Sequence, residues 1–345
     1  MWQTRLTKEY GIELPFVSAG MSSLAMPELV AAVSNAGGLG LLGASPLPPP
    51  AMQSLIQATK SLTSRPFGVD FVIADTAFGP TTTEEHIEIC IAENIKVILF
   101  FWDIPPKSWV ERLHTNGTKV WVQVGSVEQA VEAVRVGADA IIAQGNEAGG
   151  HNRTTVALSS LVPAIVDAIA SSAPVIAAGA IADGRTVASA LALGAEGVCV
   201  GTRLIASREA YAHEEYKKRV VAATADRIVR TSILGAEWPD QPMRVICNRV
   251  VSEWAGRDNK MPQAPDPQQF IGRTLLGDHE YPIPKFSIML PTPDTSGDFE
   301  QMCLVAGENV GLVKEIKSAG EIVHEMMGEA RQVISERLAG ILNKC

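Results

Sequence analysis

The stretch Val134-Arg-Val-Gly-Ala-Asp-Ala-Ile-Ile-Ala143 contains the structural unit that decides the fold. Its first part has the pattern of a helix end, and Gly137 suits the left-handed residue that terminates a helix. Residues 138–143 form a short apolar run typical of a buried strand. The same pattern returns in Leu191-Ala-Leu-Gly-Ala-Glu-Gly-Val-Cys-Val200. Two copies of a helix, a Gly-Ala-acid turn and a strand predict a chain in which helices and parallel strands alternate.

Eight such strands can be read between residues 15 and 205. Amphipathic stretches separate them, including Pro27–Ser34, Ser126–Val136 and Asp183–Leu193, in which a proline or a capping side chain marks the start. Eight strand–helix units in series are the number found in a (β/α)8 barrel, so we predict an α/β fold of this TIM barrel type. The strand candidates are Pro15–Ala19, Gly40–Leu42, Phe67–Ile73, Lys96–Phe101, Lys119–Val124, Ala138–Ala143, Val175–Ala178 and Gly197–Val200.

An open, doubly wound sheet is the competing fold. In that fold the cluster Gly37–Gly40 would form a dinucleotide-binding loop, which a helix must follow. Here a strand candidate follows the glycines instead, so the motif lacks its required context. The barrel remains the preferred fold.

The sequence pattern changes after the eighth strand. Residues 206–230 have a helical composition, whereas residues 231–300 are rich in Pro, Asp and Gln and predict irregular structure. Residues 308–341 return to helix formers. A separate second domain is the less favoured alternative, because this part of the chain lacks an obvious core of its own. The expected regions are a barrel core over 1–205, a helix plus an irregular lid or insertion over 206–307, and a C-terminal helix packing on the barrel over 308–345.

The composition narrows the class of function. Of the 345 residues, 46% are hydrophobic but only 6% are aromatic, which suits a core of aliphatic parallel strands. The net charge of -9 argues against nucleic acid or an anionic membrane as the partner. Five dispersed cysteines, no histidine pair with ligand spacing and no signal-peptide pattern predict a cytoplasmic protein without a metal site.

The run Gln144-Gly-Asn-Glu-Ala-Gly-Gly-His151 follows directly on a strand candidate. In a barrel, residues at the carboxyl ends of strands face the substrate. The paired glycines Gly149 and Gly150 let the backbone approach a flat or anionic ligand closely, and histidine is suited to removing a proton near neutral pH. We therefore predict His151 to be a general base. A glycine-rich loop with a solvated histidine is the alternative interpretation.

Glycines after the last two strands indicate a phosphate site. Gly179–Ala180 and Gly201–Thr202 stand where backbone N–H groups and a helix terminus commonly bind an anion in this fold. Arg185 and Arg203 lie close by and are candidates to assist, although surface ion pairs would explain them equally well. A single phosphate site among small residues fits flavin mononucleotide (FMN), since a dinucleotide would need a second such site.

These residues resemble the nitronate monooxygenase family, formerly called 2-nitropropane dioxygenases, and the related flavin-dependent enoyl-acyl carrier protein reductases. The resemblance spans most of the chain in collinear order. The Glu-Ala-Gly-Gly-His run is common to the family as a whole and does not separate its branches. The matching segments are Ala19–Met21, Ala31–Gly40, Phe67–Asp70, Glu147–His151, Val175–Gly184, Ala192–Ala195 and Val200–Arg203, with weaker matches at Arg230–Thr231, Arg244–Asn248 and Ala306–Leu312.

The resemblance implies FMN as the cofactor and gives a role to each matched position. His151 would be the general base, and Gln123 would reach the polar edge of the flavin ring. The positions implied in cofactor binding are Ala19, Gly20, Met21, Asp70, Gln123, Gly149, Gly150, Gly179, Ala180, Gly201 and Thr202.

Three positions depart from the family pattern. Asp70 stands where Asn or a small polar residue is expected, and an ionised carboxylate there would oppose a negatively charged reduced flavin. Ala180 replaces an expected glycine, and Asn152–Arg153 stands where a basic residue and then glycine are expected. These departures concern cofactor tuning and substrate choice more than the fold.

The resemblance implies oxidation of alkyl nitronates or nitroalkanes by dioxygen to a carbonyl compound and nitrite. Two alternatives stay open, namely an NAD(P)H-dependent enoyl-thioester reductase and a flavin-binding protein without turnover. The expected partners are a small-molecule substrate and dioxygen, with no nucleic acid or membrane, and a homodimer is left open.

Overall fold

The computed structural model describes residues 2–45, 47–76, 79–257, 268–276 and 279–342. Among these, eight parallel strands form one sheet. They are β1 (Phe16–Ser18), β2 (Gly40–Gly43), β3 (Phe67–Ile73), β4 (Val97–Trp102), β5 (Lys119–Val124), β6 (Ala140–Gln144), β7 (Val175–Ala178) and β8 (Gly197–Val200). The order runs from β2 through β8 to β1, and a bridge between Val17 and Leu39 closes the sheet. The predicted (β/α)8 barrel is confirmed, and the doubly wound alternative is excluded.

Helices connect successive strands and cover the outside of the barrel. Two of them begin as the sequence predicts, since the Ser126 side chain accepts a hydrogen bond from Gln129 N and the Asp183 side chain accepts one from Thr186 N. Gly137 ends the first of these helices with a φ of 109°. The connecting helices are Pro27–Asn35, Pro49–Leu62, Glu84–Ala92, Lys107–Thr115, Val127–Val136, Leu158–Ile169 and Gly184–Ala192, and the short helix Thr202–Ile205 follows β8.

The strands carry two layers of core because successive side chains point to opposite faces. The larger layer lies between the strands and the outer helices. The smaller layer fills the barrel interior, where Tyr10 from the helix Arg5–Tyr10 packs edge-on against Trp121 at 4.9 Å between ring centroids. The other interior residues include Leu6, Ile12, Val17, Leu39, Leu41, Val97, Leu99, Ile142, Ile176 and Cys199.

The chain after β8 contains more β-structure than the sequence predicted. Residues 206–230 were expected to be helical, but the helix covers only Glu214–Ala222, and the β-branched run that follows forms the strand Ile228–Thr231. The expected irregular region, 231–300, also contains regular elements. They are the strand Met243–Ile246, the helix Arg249–Trp254, the antiparallel pair Phe270–Leu276 and His279–Pro284, and the short strand Ser296–Gly297.

The tail, defined as the described chain after residue 205, has a buried cluster of its own. It also pairs with the barrel loop after β6. Met243–Ile246 lies between Ile228–Thr231 on one side and the two-residue strand Gly150–His151 on the other, both antiparallel. The sequence signal for such strands is weak, because they are short and pair across long sequence separations. The buried cluster consists of Ile233, Leu234, Met243, Val245, Val250, Val251, Phe286 and Cys303.

The C-terminal helix packs on the barrel exterior. A 3-10 turn covers Glu308–Leu312, and the helix itself begins at Ala319, where Ser318 and Glu321 form a capping box. Ala319–Gln332 packs against the helix Gly184–Ala192 so closely that a Cβ on Gly184 would overlap Ala330 N and Glu329 Cβ. The Gly184 N–H also donates to Glu329 Oε2 at 2.7 Å.

Substitution of Gly184 tests this contact. We expect Gly184→Ala to lower the free energy of unfolding by about 1–3 kcal/mol, because the added methyl forces the two helices apart. The matched control is Gly328→Ala, since a Cβ there would meet no heavy atom within 4 Å. That variant should be neutral or more stable by up to about 1 kcal/mol. Denaturant unfolding measures both, and equal stability of the two variants would contradict the packing described.

Candidate active site

The predicted site residues collect at the carboxyl ends of the barrel strands. The strand interiors are fully buried, whereas each predicted residue except Thr202 is half-buried, so these residues line an opening. Ala19, Gly20 and Met21 follow β1, Asp70 lies on β3, Gln123 on β5, Gly149, Gly150 and His151 after β6, Gly179 and Ala180 after β7, and Gly201 and Thr202 after β8.

Gly20 and Gly201 bring three strand ends together. A Cβ on Gly20 would overlap Asp70 Cβ and Oδ2, so the Asp70 carboxyl lies directly against the Gly20 backbone. At Gly201 an added Cβ would lie 3.5 Å from Ala19 Cβ and 3.7 Å from Met21 Sδ, which is ordinary contact. The ends of β1, β3 and β8 therefore form one continuous wall.

The paired glycines after β6 differ in their surroundings. A Cβ on Gly149 would lie 2.6 Å from the Ala306 carbonyl carbon, so Gly149 is required by chain packing. Gly150 has a φ of 76°, and a Cβ there would meet nothing within 4 Å. The open backbone at Gly150 is the one that fits close approach of a flat ligand.

The turn after β7 is left-handed at two successive residues. Gly179 has a φ of 102° and Ala180 a φ of 54°. Glycine takes this region without cost, whereas alanine takes it with strain of about 1–2 kcal/mol. The conformation explains why a glycine was expected at position 180. The hydroxyl of Thr202 accepts a hydrogen bond from Gly307 N at 2.9 Å, which ties the end of β8 to a distant loop.

The two arginines near the phosphate turn are engaged elsewhere. Arg185 forms ion pairs with Asp183 and Glu329. The buried Arg203 donates to the carbonyl oxygens of Ala206 and Glu315. Arg185 therefore forms the surface ion pairs of the alternative interpretation, whereas Arg203 is a buried hydrogen-bond donor and not a surface ion pair.

His151 is enclosed by two tryptophan side chains. Its ring centroid lies 5.8 Å from that of Trp102 and 4.6 Å from that of Trp238, and the two indole rings contact each other at 4.6 Å. His151 Nε2 is shielded from solvent and has no hydrogen-bond partner among the described residues. Burial disfavours the charged imidazolium and lowers the pKa of His151 to about 4. At neutral pH the ring is therefore uncharged.

Trp102 has an uncommon backbone conformation beside the histidine. Its φ is 85°, which is strained for a bulky residue, and such strain concentrates at active sites. Arg153 Nη1 donates to the Trp102 carbonyl at 2.6 Å and to Asp103 Oδ1 at 2.9 Å. The guanidinium also lies 4.9 Å above the indole ring. Arg153, a departure from the family pattern, thus stabilises the aromatic wall next to His151.

Polar side chains fix the loop that carries His151. The Glu147 carboxylate accepts the Leu158 N–H at 3.0 Å at the start of the helix Leu158–Ile169, so it serves the helix and not the histidine. The buried Asn152 amide donates to the carbonyl oxygens of Gly145 and Asn146. Asn152, the other residue of the Asn152–Arg153 departure from the family pattern, is therefore a structural residue of the loop.

Two arginines from the tail hold the same loop from its other side. Arg244 Nε donates to the Asn146 carbonyl at 2.9 Å, and its Nη1 pairs with Glu308 at 2.8 Å. Arg230 donates to the Asn152 carbonyl at 3.0 Å. Arginine side chains therefore surround the loop on which the histidine lies, with the carboxylates of Glu147 and Glu308 acting on Arg244.

Asp70 is the second site residue with an unpartnered polar atom. Its Oδ1 is shielded and has no hydrogen-bond partner among the described residues. Burial raises the pKa of Asp70 well above its usual range. Burial therefore disfavours the ionised carboxylate considered in the sequence analysis, because hydration is lost on burial.

These features fit a planar cofactor with a hydrogen-bonding edge. Asp70 Oδ1 and His151 Nε2 have no hydrogen-bond partner in the described part of the chain, and a buried polar atom without a partner is costly unless a ligand supplies one. The open backbone at Gly150 and the left-handed turn at Gly179 leave room for a ring and an anionic group.

Neither a metal site nor a membrane span is found in the described part of the chain. No group of three His, Cys, Asp or Glu side chains is placed to hold a metal ion there. No helix in the same residues has the length and apolar character needed to cross a membrane.

A TIM barrel with glycines and a histidine at the carboxyl ends of its strands has the architecture of a barrel enzyme. The model of the nitronate monooxygenase family matches residues 3–329. The chain belongs to this family and is an enzyme of the flavin-dependent oxidoreductase type.

Relatives of the chain carry more than one activity in their names. A probable nitronate monooxygenase of Staphylococcus aureus (strain JH9) is 33% identical over 306 residues, which cover 77% of this chain and 84% of that protein. A (3aS,4S,5R,7aS)-5-hydroxy-7a-methyl-1-oxo-octahydro-1H-indene-4-carboxyl-CoA dehydrogenase of Rhodococcus jostii (strain RHA1) is 38% identical over 250 residues, covering 72% and 67%. The solved structure of FabK from Thermotoga maritima superposes with a TM-score of 0.79 at 30% identity, covering 99% and 100%.

The residues that the tail adds to the site have little or no signal in the sequence and were not predicted. Trp238 carried no motif, because nothing in its local sequence indicates contact with a histidine on the barrel. Arg230 and Arg244 lay in the weak family matches, which was the available signal for them. Trp102 was visible as a strand-end residue, but its role beside His151 was not.

Removal of the Trp238 ring tests the enclosure. We expect Trp238→Ala to admit water to His151 and to raise its pKa from about 4 toward the usual value of about 6.5. The control is Trp254→Ala, which removes a ring packed on Phe286 at 5.0 Å in the same tail and should leave that pKa unchanged. NMR titration of 13C-labelled histidine reports both. An unchanged His151 pKa in Trp238→Ala would show that the indole does not shield the imidazole.

Proposed function

We propose that this enzyme oxidises alkyl nitronates with dioxygen to a carbonyl compound and nitrite, using FMN as its cofactor. The observation that carries the proposal is the uncharged His151 with an unpartnered Nε2 inside an aromatic enclosure. An apolar enclosure suits a small alkyl substrate and dioxygen. The family membership and the name of the S. aureus relative support the same reaction.

His151 is proposed to bind the nitronate and to remove the proton when a neutral nitroalkane enters instead. General bases work best when their pKa lies near the working pH, so a histidine with a pKa of about 4 is a weak base for carbon acids. A nitronate arrives without that proton, and the neutral imidazole can donate a hydrogen bond to it. We therefore infer that nitronates react faster than the parent nitroalkanes.

The charges around the loop favour an anionic substrate. Arg153, Arg230 and Arg244 all donate to backbone carbonyl groups next to His151, and their fields add at the opening. Asp103 and Glu308 neutralise part of this charge through ion pairs. An anion of one charge is thus attracted without a direct ion pair, which leaves it free to react.

The tail is proposed to act as a lid over the barrel mouth. In this division 1–205 is the cofactor-binding core, 206–307 the lid or insertion, and 308–345 the helical region that packs on the barrel. The strand pairing of Met243–Ile246 with Gly150–His151 and the contact of Trp238 with His151 support it.

FMN would be held by the residues at the strand ends. Gly20, Met21 and Gln123 would border the ring, and Gly179–Ala180 and Gly201–Thr202 the phosphate. When bound, the flavin would supply the redox chemistry between the nitronate and dioxygen. Mass identification of the cofactor released by denaturation tests this assignment, and release of a flavin dinucleotide would overturn it.

The second candidate function is reduction of a carbon–carbon double bond next to a thioester, with hydride supplied by a nicotinamide. The R. jostii relative, at 38% identity, is the observation in its favour, because it is named as a dehydrogenase of a carboxyl-CoA compound. The same histidine could then exchange a proton with carbon next to the thioester. The two candidates differ in the electron source, which makes them separable.

Replacement of His151 tests its role as base. We expect His151→Asn to keep its flavin and to slow reaction with a neutral nitroalkane by about 10²–10⁴-fold, the usual contribution of general-base catalysis. Reaction with preformed nitronate should suffer much less, because the proton is already gone. Initial rates of nitrite release measure both reactions.

The control for this variant is His114→Asn, which changes a histidine on an outer helix bonded to Asp139. It should match the wild type on both substrates. In the wild type, activity on nitroalkane should fall only as the pH drops toward about 4, since His151 loses its free base form there. Equal losses on both substrates in His151→Asn would show that His151 binds or orients and does not abstract the proton.

Anaerobic mixing with NADPH tests the electron source. We expect nitronate oxidation to proceed without NADH or NADPH, and reduced nicotinamide to bleach the flavin slowly or not at all. The reason is that the sequence shows no additional loop that would bind a nicotinamide dinucleotide beside the flavin. Stopped-flow absorbance measures the bleaching. Rapid full bleaching followed by reoxidation with an enoyl thioester would move the enzyme to the second candidate function.

A further inference from the structure

Asp70 occupies a place in the opening where a charged carboxylate is not stabilised. It lies on β3, in register with Gly43 on β2 and Leu99 on β4. Its side chain presses against the Gly20 backbone, and its Oδ1 has no hydrogen-bond partner among the described residues. The residue is nevertheless half-buried and not sealed in the core, so part of its side chain borders the opening.

The neighbours of Asp70 do not supply a positive charge. The titratable group that interacts with it is the buried thiol of Cys199 on β8, whose pKa is raised by burial and by Asp70. The arginines of the site, Arg153, Arg230 and Arg244, donate to carbonyl groups of the loop after β4 and the loop after β6. Loss of hydration without a compensating cation favours the neutral acid, in agreement with the raised pKa of Asp70.

We propose that Asp70 acts as a neutral carboxylic acid that donates a hydrogen bond to the flavin ring, which raises the reduction potential of the cofactor. A neutral carboxylic acid carries one O–H donor, which an ionised carboxylate lacks. A donor directed at the ring stabilises the negative charge that the flavin gains on reduction. The inference rests on the proposed flavin cofactor. It predicts a higher reduction potential, whereas an ionised Asp70 would oppose the negative charge of the reduced flavin.

Two substitutions distinguish the neutral donor from a carboxylate. Asp70→Asn keeps the shape and an N–H donor without charge, whereas Asp70→Leu keeps the approximate shape and removes the donor. The exposed Asp75 on the chain segment after β3 provides the control variant Asp75→Asn. The ratio of reduced to oxidised flavin is measured anaerobically at neutral pH against a redox dye, after mass identification of the bound cofactor.

We expect Asp70→Asn to change the ratio at a fixed potential by less than about threefold and Asp70→Leu to lower it by about tenfold, since a hydrogen bond to a charged group contributes on that scale. Asp70→Ala removes the donor without adding the bulk of leucine, so it should also lower the ratio of reduced to oxidised flavin. It covers the case in which leucine disturbs the contact with Gly20. Asp75→Asn should match the wild type.

Two results would overturn the proposal. A rise of about tenfold or more in Asp70→Asn would mean that the wild-type residue is ionised. Wild-type ratios in the Asn, Leu and Ala variants would mean that Asp70 does not touch the cofactor. The measurement uses no nitronate, so its failure leaves the proposed substrate untouched, and failure of nitronate turnover leaves this measurement valid.

Discussion

Closure of the sheet by the bridge between Val17 and Leu39 determines where everything else in the site can lie. A closed barrel of parallel strands brings eight carboxyl ends to one rim, and the interior below is already filled by side chains such as Leu99 and Trp121. Residues at the rim therefore contact the neighbouring strand ends, whereas the side beyond the carboxyl ends of the strands is less crowded. That combination explains why Gly20 has no room for a Cβ against Asp70, while Gly150 borders open space.

The rim of the barrel also holds the polar atoms and strained residues that destabilise the folded chain. Two polar atoms, Asp70 Oδ1 and His151 Nε2, lose their water without gaining a protein partner, and each such loss costs about 1–3 kcal/mol. Trp102 and Ala180 add left-handed backbone strain. The hydrogen bonds from Arg153 and Asn152 offset part of this by fixing the chain around the strained positions. A ligand that supplies hydrogen-bond partners to these two atoms would offset part of this cost.

The barrel could be predicted from the sequence because its signals are local. Each strand is an apolar run, each helix has a cap or a period, and the unit repeats, so β3, β5, β7 and β8 have the predicted bounds and the others shift by one or two residues. The tail could not be predicted, because Ile228–Thr231 and Met243–Ile246 become strands through pairing with each other and with Gly150–His151. For the same reason His151 was visible as a candidate base, but its enclosure by Trp238 was not. The position of Glu147 near the histidine in sequence likewise does not indicate its contact with Leu158.

The ionisation states of the two central groups follow from one physical cause. Desolvation lowers the pKa of His151 and raises that of Asp70, so burial favours the uncharged form of both groups. The positive charge of the site then comes from arginines bonded to backbone carbonyl groups outside the enclosure. A pocket with neutral walls and positive surroundings stabilises negative charge wherever it forms inside. In the proposed reaction the nitronate carries such a charge, and a flavin held at the strand ends would gain negative charge in the same surroundings, so a single electrostatic arrangement would serve both the substrate and the cofactor.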